Sequence, residues 1–183
     1  MGYINATTTC LRRRTYAVWL LLALAPALAA AESWLAPGLA LAPPENISIG
    51  YDTLEVLGGK PALVGYVDAK PAYFIAAEPL NAAIADDILW GKLEAGLRRR
   101  SDTHSFRLLA SGGYQTQQGH ALRYRIYSYI KNDQAHQQVF HLLKGTDSGY
   151  WIYATAVESV DLQALFPLIK TVLRRAELPS AQP

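Results

Sequence analysis

The chain has 183 residues, of which 51% are hydrophobic, and its formal net charge is +2. Three of the 17 Lys and Arg residues, and none of the 15 Asp and Glu residues, precede Glu32, so the remainder carries 14 basic and 15 acidic residues. This balance argues against a nucleic-acid-binding protein, which usually presents a basic excess. The only cysteine, Cys10, lies in the first 31 residues, which excludes disulfide bonds, thiolate metal sites and a cysteine nucleophile in the remainder.

Residues 1–31 have the pattern of a cleavable signal peptide. Three arginines at residues 12–14 precede an apolar run over residues 16–29, and small residues follow, so we expect cleavage near Ala29 to Ala31. The run is short and Pro26 interrupts it, so it is not expected to remain as a membrane span. The pattern predicts a periplasmic or secreted protein. Residues 13–16 also resemble a twin-arginine signal, but an ordinary signal is the favoured interpretation.

Residues 32–46 contain Pro37, Pro43 and Pro44 and show no hydrophobic period, so we expect a leader or tether. A single domain is predicted to follow over residues 47–176. It begins with short β-rich runs separated by turn residues, which predict strands at residues 47–51, 54–57, 62–67 and 73–77.

The next segment changes to a period of 3.6 residues, which predicts an amphipathic helix with Asn81 as its cap. Its apolar stripe consists of Leu80, Ile84, Ile88, Leu89, Leu93 and Leu97. Three arginines at residues 98–100 are suited to the negative end of the helix dipole. Gly91 and Gly96 are expected to mark close packing of this helix against a sheet.

The clearest pattern is an antiparallel meander with strands at residues 120–130, 137–144 and 150–157. Four-residue turns at residues 131–134 and 145–148 separate these strands, and a further strand is expected near residues 106–114. A last helix is predicted over residues 161–176, with Pro167 either kinking it or lying in its first turn. Residues 177–183 are expected to form a flexible tail.

These turns place Arg125 opposite Phe140, and Phe140 opposite Tyr153. One face of the meander is then the core face, and it consists of Leu122, Tyr124, Ile126, Val139, Leu143, Tyr150, Ile152 and Ala154. The other face is rich in arginine and aromatic side chains, which are enriched at binding hot spots. Its candidate partner-binding residues are Arg123, Arg125, Tyr127, Tyr129, Trp151 and Tyr153. The alternative is that a helix or the N-terminal strands cover this face and the arginines extend to its rim.

No catalytic, cofactor-binding or metal-binding motif is found in the sequence. The four histidines, His104, His120, His136 and His141, lack the spacing of a metal site, and no serine-hydrolase motif is present. His141 lies on the predicted core face and is expected to be buried and hydrogen-bonded. Neighbouring Asp86 and Asp87 project about 100° apart on a helix, which is a poor geometry for acid–base catalysis.

Four segments resemble the PsbP-like superfamily, which includes the periplasmic DcrB-like proteins. They are the strand at residues 120–130, the apolar strand at 139–143, the glycine turn and strand at 149–155, and the helix at 165–173. The resemblance implies an α+β fold in which helices pack in α/β/α layers on an antiparallel sheet. It also implies an accessory, adaptor or binding role, with no shared catalytic residues. Photosystem-associated members bind metal, but the sequence contains no matching ligand cluster, so no cofactor is expected.

The leading hypothesis is therefore an exported, non-enzymatic domain that binds a protein partner through the arginine and aromatic face. An alternative is a periplasmic carrier of a small ligand or lipid, with its pocket between sheet and helices. A third hypothesis is a hydrolase that uses His120 or His104.

Overall fold

The computed structural model describes residues 33–42, 47, 49–54, 60–157 and 160–178. All of them belong to Glu32–Pro183, the second of the two compact units into which the chain divides. The predicted signal peptide lies outside the described residues, as do residues 55–57 of one predicted strand and residues 179–183 of the predicted tail. In the described part of the chain, no helix is both long and apolar enough to cross a membrane.

Strands and helices in the described residues follow the order expected for an α+β domain. The strands are β1 (Ser33–Ala36), β2 (Leu39–Leu41), β3 (Ile49–Leu54), β4 (Lys60–Val67), β5 (Lys70–Leu80), β6 (Thr103–Gln115), β7 (Ala121–Lys131), β8 (Gln134–Lys144), β9 (Gly149–Ala156) and β10 (Ala176–Glu177). The helices are α1 (Asp86–Arg98) and α2 (Leu162–Leu173). One seven-stranded antiparallel sheet has the order β3-β4-β5-β9-β8-β7-β6, and a small sheet has the order β1-β2-β10.

The large sheet is covered on both faces by different elements. On one face, Leu165, Ile169 and Val172 of α2 pack in one core cluster with the leucines of β1 and β2. On the other face, Leu89, Trp90 and Leu97 of α1 form a second cluster with side chains of β7, β8 and β9. The predicted α+β fold with α/β/α layers is therefore confirmed.

The register of the meander is as predicted. Arg125 lies opposite Phe140, and Phe140 lies opposite Tyr153. Between β7 and β8, Asn132 and Asp133 both have positive φ angles, 50° and 62°, which fit a two-residue hairpin turn. Strand β7 ends at Lys131, one residue later than predicted, and β8 begins at Gln134, three residues earlier than predicted. The turn stays centred between residues 132 and 133, so the register does not change.

Helix α1 differs from its predicted stripe. It begins at Asp86, whereas the Asn81 side chain accepts a hydrogen bond from the Ala83 N–H at 2.9 Å and does not cap the helix. Ile88 is 50% exposed, and Trp90 takes a place in the core. The prediction was wrong at these positions because one 3.6-residue pattern fits two adjacent helix faces when Ile88, Leu89 and Trp90 follow one another. The helix ends at Arg98 as expected.

The two glycines of α1 do not mark close packing, contrary to the prediction. Gly91 and Gly96 are exposed, and a Cβ at either position would have nothing within 4 Å. Replacing either glycine with Ala should raise the free energy of unfolding by about 0.5–1 kcal/mol, because Ala loses less backbone entropy in a helix. Urea denaturation measures this. Gly65→Ala is the matched control, and it should destabilise, because its Cβ would collide with the Tyr73 ring. A destabilising Gly91→Ala would contradict the exposed placement.

The N-terminal segment is part of the core and not a tether, which corrects the prediction for the described residues up to 42. Strands β1 and β2 form a hairpin through Pro37 and Gly38, whose φ of 77° fits the third position of a type II turn. Leu35, Leu39 and Leu41 are at most 1% exposed. All three residues of β2 are buried, so no alternation of polar and apolar residues reveals it.

The C-terminal segment also differs from the prediction. Helix α2 begins after Asp161, whose side chain accepts a hydrogen bond from the Gln163 N–H at 2.9 Å, and Pro167 lies inside the helix. The chain then forms β10, which pairs with β2. Leu178 is buried, so the expected tail does not begin at residue 177.

Candidate binding groove

A groove of about 340 Å³ lies between α1 and the strands β6 and β7. It opens on the predicted arginine and aromatic face. Its lining residues are Asp86, Asp87, Trp90, Ser111, Gly112, Arg123, Tyr124 and Arg125. Two of the six candidate residues, Arg123 and Arg125, therefore line one concave surface.

Arg125 links the sheet to α1. Its Nη1 lies 2.6 Å from Oε1 of Glu94, and the Tyr127 hydroxyl donates a hydrogen bond to the same oxygen at 2.8 Å. Its guanidinium carbon lies 4.7 Å from the centroid of the Trp90 ring, a cation–π distance. Burial, together with the hydrogen bond to Glu94, raises the pKa of the Tyr127 hydroxyl. The Arg125 side chain, 31% exposed, is held in place and still reaches the groove.

Arg123 is the more accessible of the two arginines. It lies two residues before Arg125, hence on the same face of β7, and its side chain is 65% exposed. Its Nη1 lies 3.0 Å from Oδ2 of Asp86, whose other carboxylate oxygen lies 3.0 Å from Lys144 Nζ. Lys144 also donates to the Ile84 carbonyl at 2.7 Å. Asp86 is therefore shared by two cations at the start of α1.

The aromatic candidates are covered to different extents. Tyr127 is fully buried beneath α1, so its side chain is not available to a partner, which corrects its place among the contact residues. Trp151 is half-buried and packs edge-on against Trp90, with ring centroids 4.7 Å apart. Tyr153 is also half-buried, with its ring 6.2 Å from Phe140. The alternative hypothesis, that a helix covers the arginine and aromatic face, therefore holds for the part of this face beneath α1.

Tyr129 lies further along β7, away from the groove. Its hydroxyl donates to Gln138 Oε1 at 3.2 Å, and its ring stacks on His136 at 5.6 Å. Burial raises the pKa of its hydroxyl. Tyr129 therefore does not belong to the same concave surface as Arg123.

His141 lies on the opposite face of the sheet, beneath α2. It is fully buried, as predicted, but neither ring nitrogen makes a hydrogen bond of acceptable geometry, which corrects the expectation of a hydrogen-bonded histidine. Its ring is surrounded by Tyr114, Tyr124 and Phe166, with centroids 5.8 to 6.1 Å away. Burial lowers its pKa to about 3, and a backbone contact with Ile152 opposes this only in part.

The histidines of the hydrolase hypothesis do not come together. His104 lies opposite Ile130 near one end of the β6–β7 pair, and His120 directly precedes β7 at the other end. Within the ranges that the structure describes, no group of three or more His, Cys, Asp or Glu could hold a metal ion. Leu122, Ile152 and the apolar face of α2 occupy the space between the sheet and α2, where the carrier hypothesis expects a pocket. Both hypotheses stay predictions.

The sequence did not assign to the site two residues that line the groove, Asp86 and Trp90, or Glu94, whose carboxylate binds Arg125. A signal for two of them exists, because Trp90 and Glu94 are four residues apart and so share a helix face. An aromatic ring and a carboxylate on one helix face complement the arginines and tyrosines of β7. The predicted apolar stripe of the helix contains aliphatic residues alone. It therefore does not predict that Trp90 and Glu94 face the arginines and tyrosines of β7.

Comparisons with known proteins identify the fold. No protein-family model matches the sequence, and no curated protein is significantly similar to it. The solution structure of the cyanobacterial PsbP protein CyanoP from Synechocystis sp. PCC 6803 is similar, with a TM-score of 0.50 at 8% identity, over 78% of this chain and 87% of that one. The fold is PsbP-like. The resemblance that the sequence indicated is thereby confirmed at the level of fold, and the DcrB-like assignment stays a prediction.

Two further solved structures resemble the chain. LpqN from Mycobacterium tuberculosis has a TM-score of 0.51 at 13% identity, over 79% of this chain and 87% of that one. The protein of unknown function PA94 from Pseudomonas aeruginosa has a TM-score of 0.44 at 16% identity, over 75% and 87%. In this PsbP-like domain, the groove lies on the face of the sheet that α1 covers.

Proposed function

We propose that the chain is an exported, non-enzymatic accessory domain that binds a protein partner, and that the groove beside Arg123 and Arg125 is part of the contact surface. The observation that carries the proposal is the pair of arginines, one fixed and one accessible, beside Trp90 in a concave surface. Arginine and tryptophan are the residue types most enriched among binding hot spots.

The two arginines suit different parts of this role. The ion pair joins the Arg123 side chain, which is 65% exposed, to the Asp86 side chain, which is 26% exposed and also pairs with Lys144. Ion pairs that are open to solvent contribute about 0–1 kcal/mol. A partner carboxylate can therefore replace Asp86 as the ligand of Arg123 at little cost. Arg125 is already ordered by Glu94 and Trp90, so little side-chain entropy is lost when a partner contacts it.

Export is supported by the signal-peptide pattern of residues 1–31. LpqN, which shares the fold, is involved in cell envelope biogenesis. An accessory protein of the cell envelope would meet its partners outside the cytoplasm, which agrees with this pattern. The proposed compartment is the periplasm or the exterior of the cell.

Site-specific photo-crosslinking in producing cells tests the proposal. A benzoylphenylalanine placed at Asp87, which is exposed and lines the groove without removing either arginine, should yield a discrete adduct with one protein. The same group at Gln163, which is exposed on α2 on the other face of the sheet, is the matched control and should not yield that adduct. No adduct at residue 87, or the same adducts at both residues, would contradict the proposal.

A double variant with Ala at Arg125 and Tyr153 would remove two side chains of the predicted contact face. The structure makes Arg123→Ala the cleaner variant, because Arg125 also holds α1 against the sheet through Glu94. Arg123→Ala should abolish capture of the crosslinked protein and leave the thermal unfolding midpoint nearly unchanged.

A further inference from the structure

Strand β6 forms one edge of the large sheet. Among the residues that the structure describes, no strand pairs with its outer side. Its pairing with β7 is irregular before Ala110 and regular from Ala110 to Gln115. A regular edge presents unpaired backbone N–H and C=O groups in register with an added strand, so residues 110–115 are the stretch of this edge that can accept one.

Two adjacent residues in this stretch are glycines, so at these positions β6 has no side chains that cover its edge. A Cβ at Gly112 would lie 2.8 Å from the Tyr124 hydroxyl oxygen, so Tyr124 occupies the space beside it on one face. On the other face, the position of a Cβ at Gly113 lies 4.0 Å from Cγ of Arg123, its cross-strand neighbour. Because Gly113 has no side chain, none lies between the exposed Arg123 side chain and the outer side of β6 at this position.

The charged side chains on the strands at this edge are all basic. Strands β6, β7 and β8 contain five basic side chains and no Asp or Glu. The five are Arg107, Arg123, Arg125, Lys131 and Lys144. The carboxylates that pair with four of them come from α1 and from Asp102. On the face that α1 covers, β6 also carries Leu108, which is 49% exposed.

We propose that the partner segment is an extended peptide that adds to β6 as a further strand. It carries an acidic side chain opposite Gly113, within reach of Arg123, and an apolar side chain against Leu108. This inference rests on the proposed function and specifies the chemistry of the partner. Backbone hydrogen bonds supply affinity in this mode of recognition, and the flanking side chains supply specificity.

A second copy of this chain is a poorer occupant of the edge. Edge-to-edge pairing of two β6 strands would place one basic edge against another, and like charges on facing strands destabilise a sheet. An acidic peptide has the complementary charge.

The test selects binders to the full chain from a random linear peptide library, and then measures amide hydrogen exchange with the best synthetic peptide bound. We expect enriched peptides to share an acidic residue within an alternating β-branched pattern. Amides within residues 110–115 should gain protection. Arg123→Glu should weaken binding at least about tenfold. A peptide with Lys in place of the acidic residue should recover the affinity of that variant.

Lys70→Glu is the matched control, because it makes the same charge change at an exposed residue of β5, which three strands separate from β6 in the sheet, and should leave the affinity within about twofold. The inference is overturned if no peptide is enriched, if enriched peptides lack acidic residues, or if protection appears away from β6. An adduct from residue 87 without protection of β6 would retain the proposed function and reject this inference. Failure of both experiments would reject both.

Discussion

Lowering the pH from about 7.5 to about 5 is expected to reduce the free energy of unfolding by about 2 kcal/mol, because His141 is buried in its neutral form. In the unfolded chain its pKa returns to 6.5, whereas burial holds it at about 3 in the fold. The unfolded state therefore binds more protons between these values. The contribution of His141 is complete above pH 6.5 and is lost as the pH falls from 6.5 toward 3.

Urea denaturation across this pH range measures the effect. His141→Leu should remove the slope, because the replacement side chain does not titrate. His136→Leu is the matched control, because His136 lies on the same strand and is only half-buried, and the slope should persist in it. Equal slopes in the original protein and in His141→Leu would show that His141 is not the group responsible.

Replacing Leu39 with Ala is expected to reduce the free energy of unfolding by about 2–5 kcal/mol. Leu39 is fully buried in β2, where the N-terminal hairpin joins the main core. The Ala side chain would leave a cavity, and the surrounding side chains relax into such a cavity only in part. A tether, as the sequence indicated for this segment, would lose almost nothing.

Leu108→Ala is the control for the same chemical change at a site that is 49% exposed, and it should cost less than about 1 kcal/mol. Chemical denaturation of both variants gives the comparison. Equal and small losses would mean that the hairpin does not dock on the core as described.

The central part of the fold is the part that the sequence predicts well. Polar and apolar residues alternate in the first half of β7, whereas β8 and β9 contain short runs rich in apolar and aromatic residues. Turn-forming residues such as Asn132 and Asp133 bound these strands. Because side chains on a strand alternate strictly, two short turns leave few possible registers. The pairing of Arg125 with Phe140, and of Phe140 with Tyr153, followed from these two constraints alone.

The small sheet and helix α1 could not be predicted in the same way. Strand β2 is buried throughout, so it has no alternation, and the nearby prolines gave it the composition of a linker. In α1, Ile88, Leu89 and Trp90 are consecutive apolar residues, and only the position of the sheet decides which of them turn inward.

Two of the eight residues that line the groove were identified from the sequence. Arg123 and Arg125 were identified from the character of their strand, but their partners Asp86 and Glu94 lie in a different element. Glu94 is 31 residues from Arg125 along the chain, and no local pattern relates two positions so far apart. Tertiary packing determines which face of the meander α1 covers. The same packing determines that Tyr127 is buried and Arg123 is exposed.

The small sheet also affects the order in which the domain can form. Strand β2 pairs with β10, so that Leu41 lies opposite Ala176, and the hairpin made earliest in the chain acquires its neighbour from the last strand described. A chain that leaves a ribosome or a membrane pore amino end first cannot complete this sheet until β10 has emerged. Such long-range pairing slows folding. The hairpin residues therefore remain without their final neighbour during translation or translocation until the last described strand has emerged.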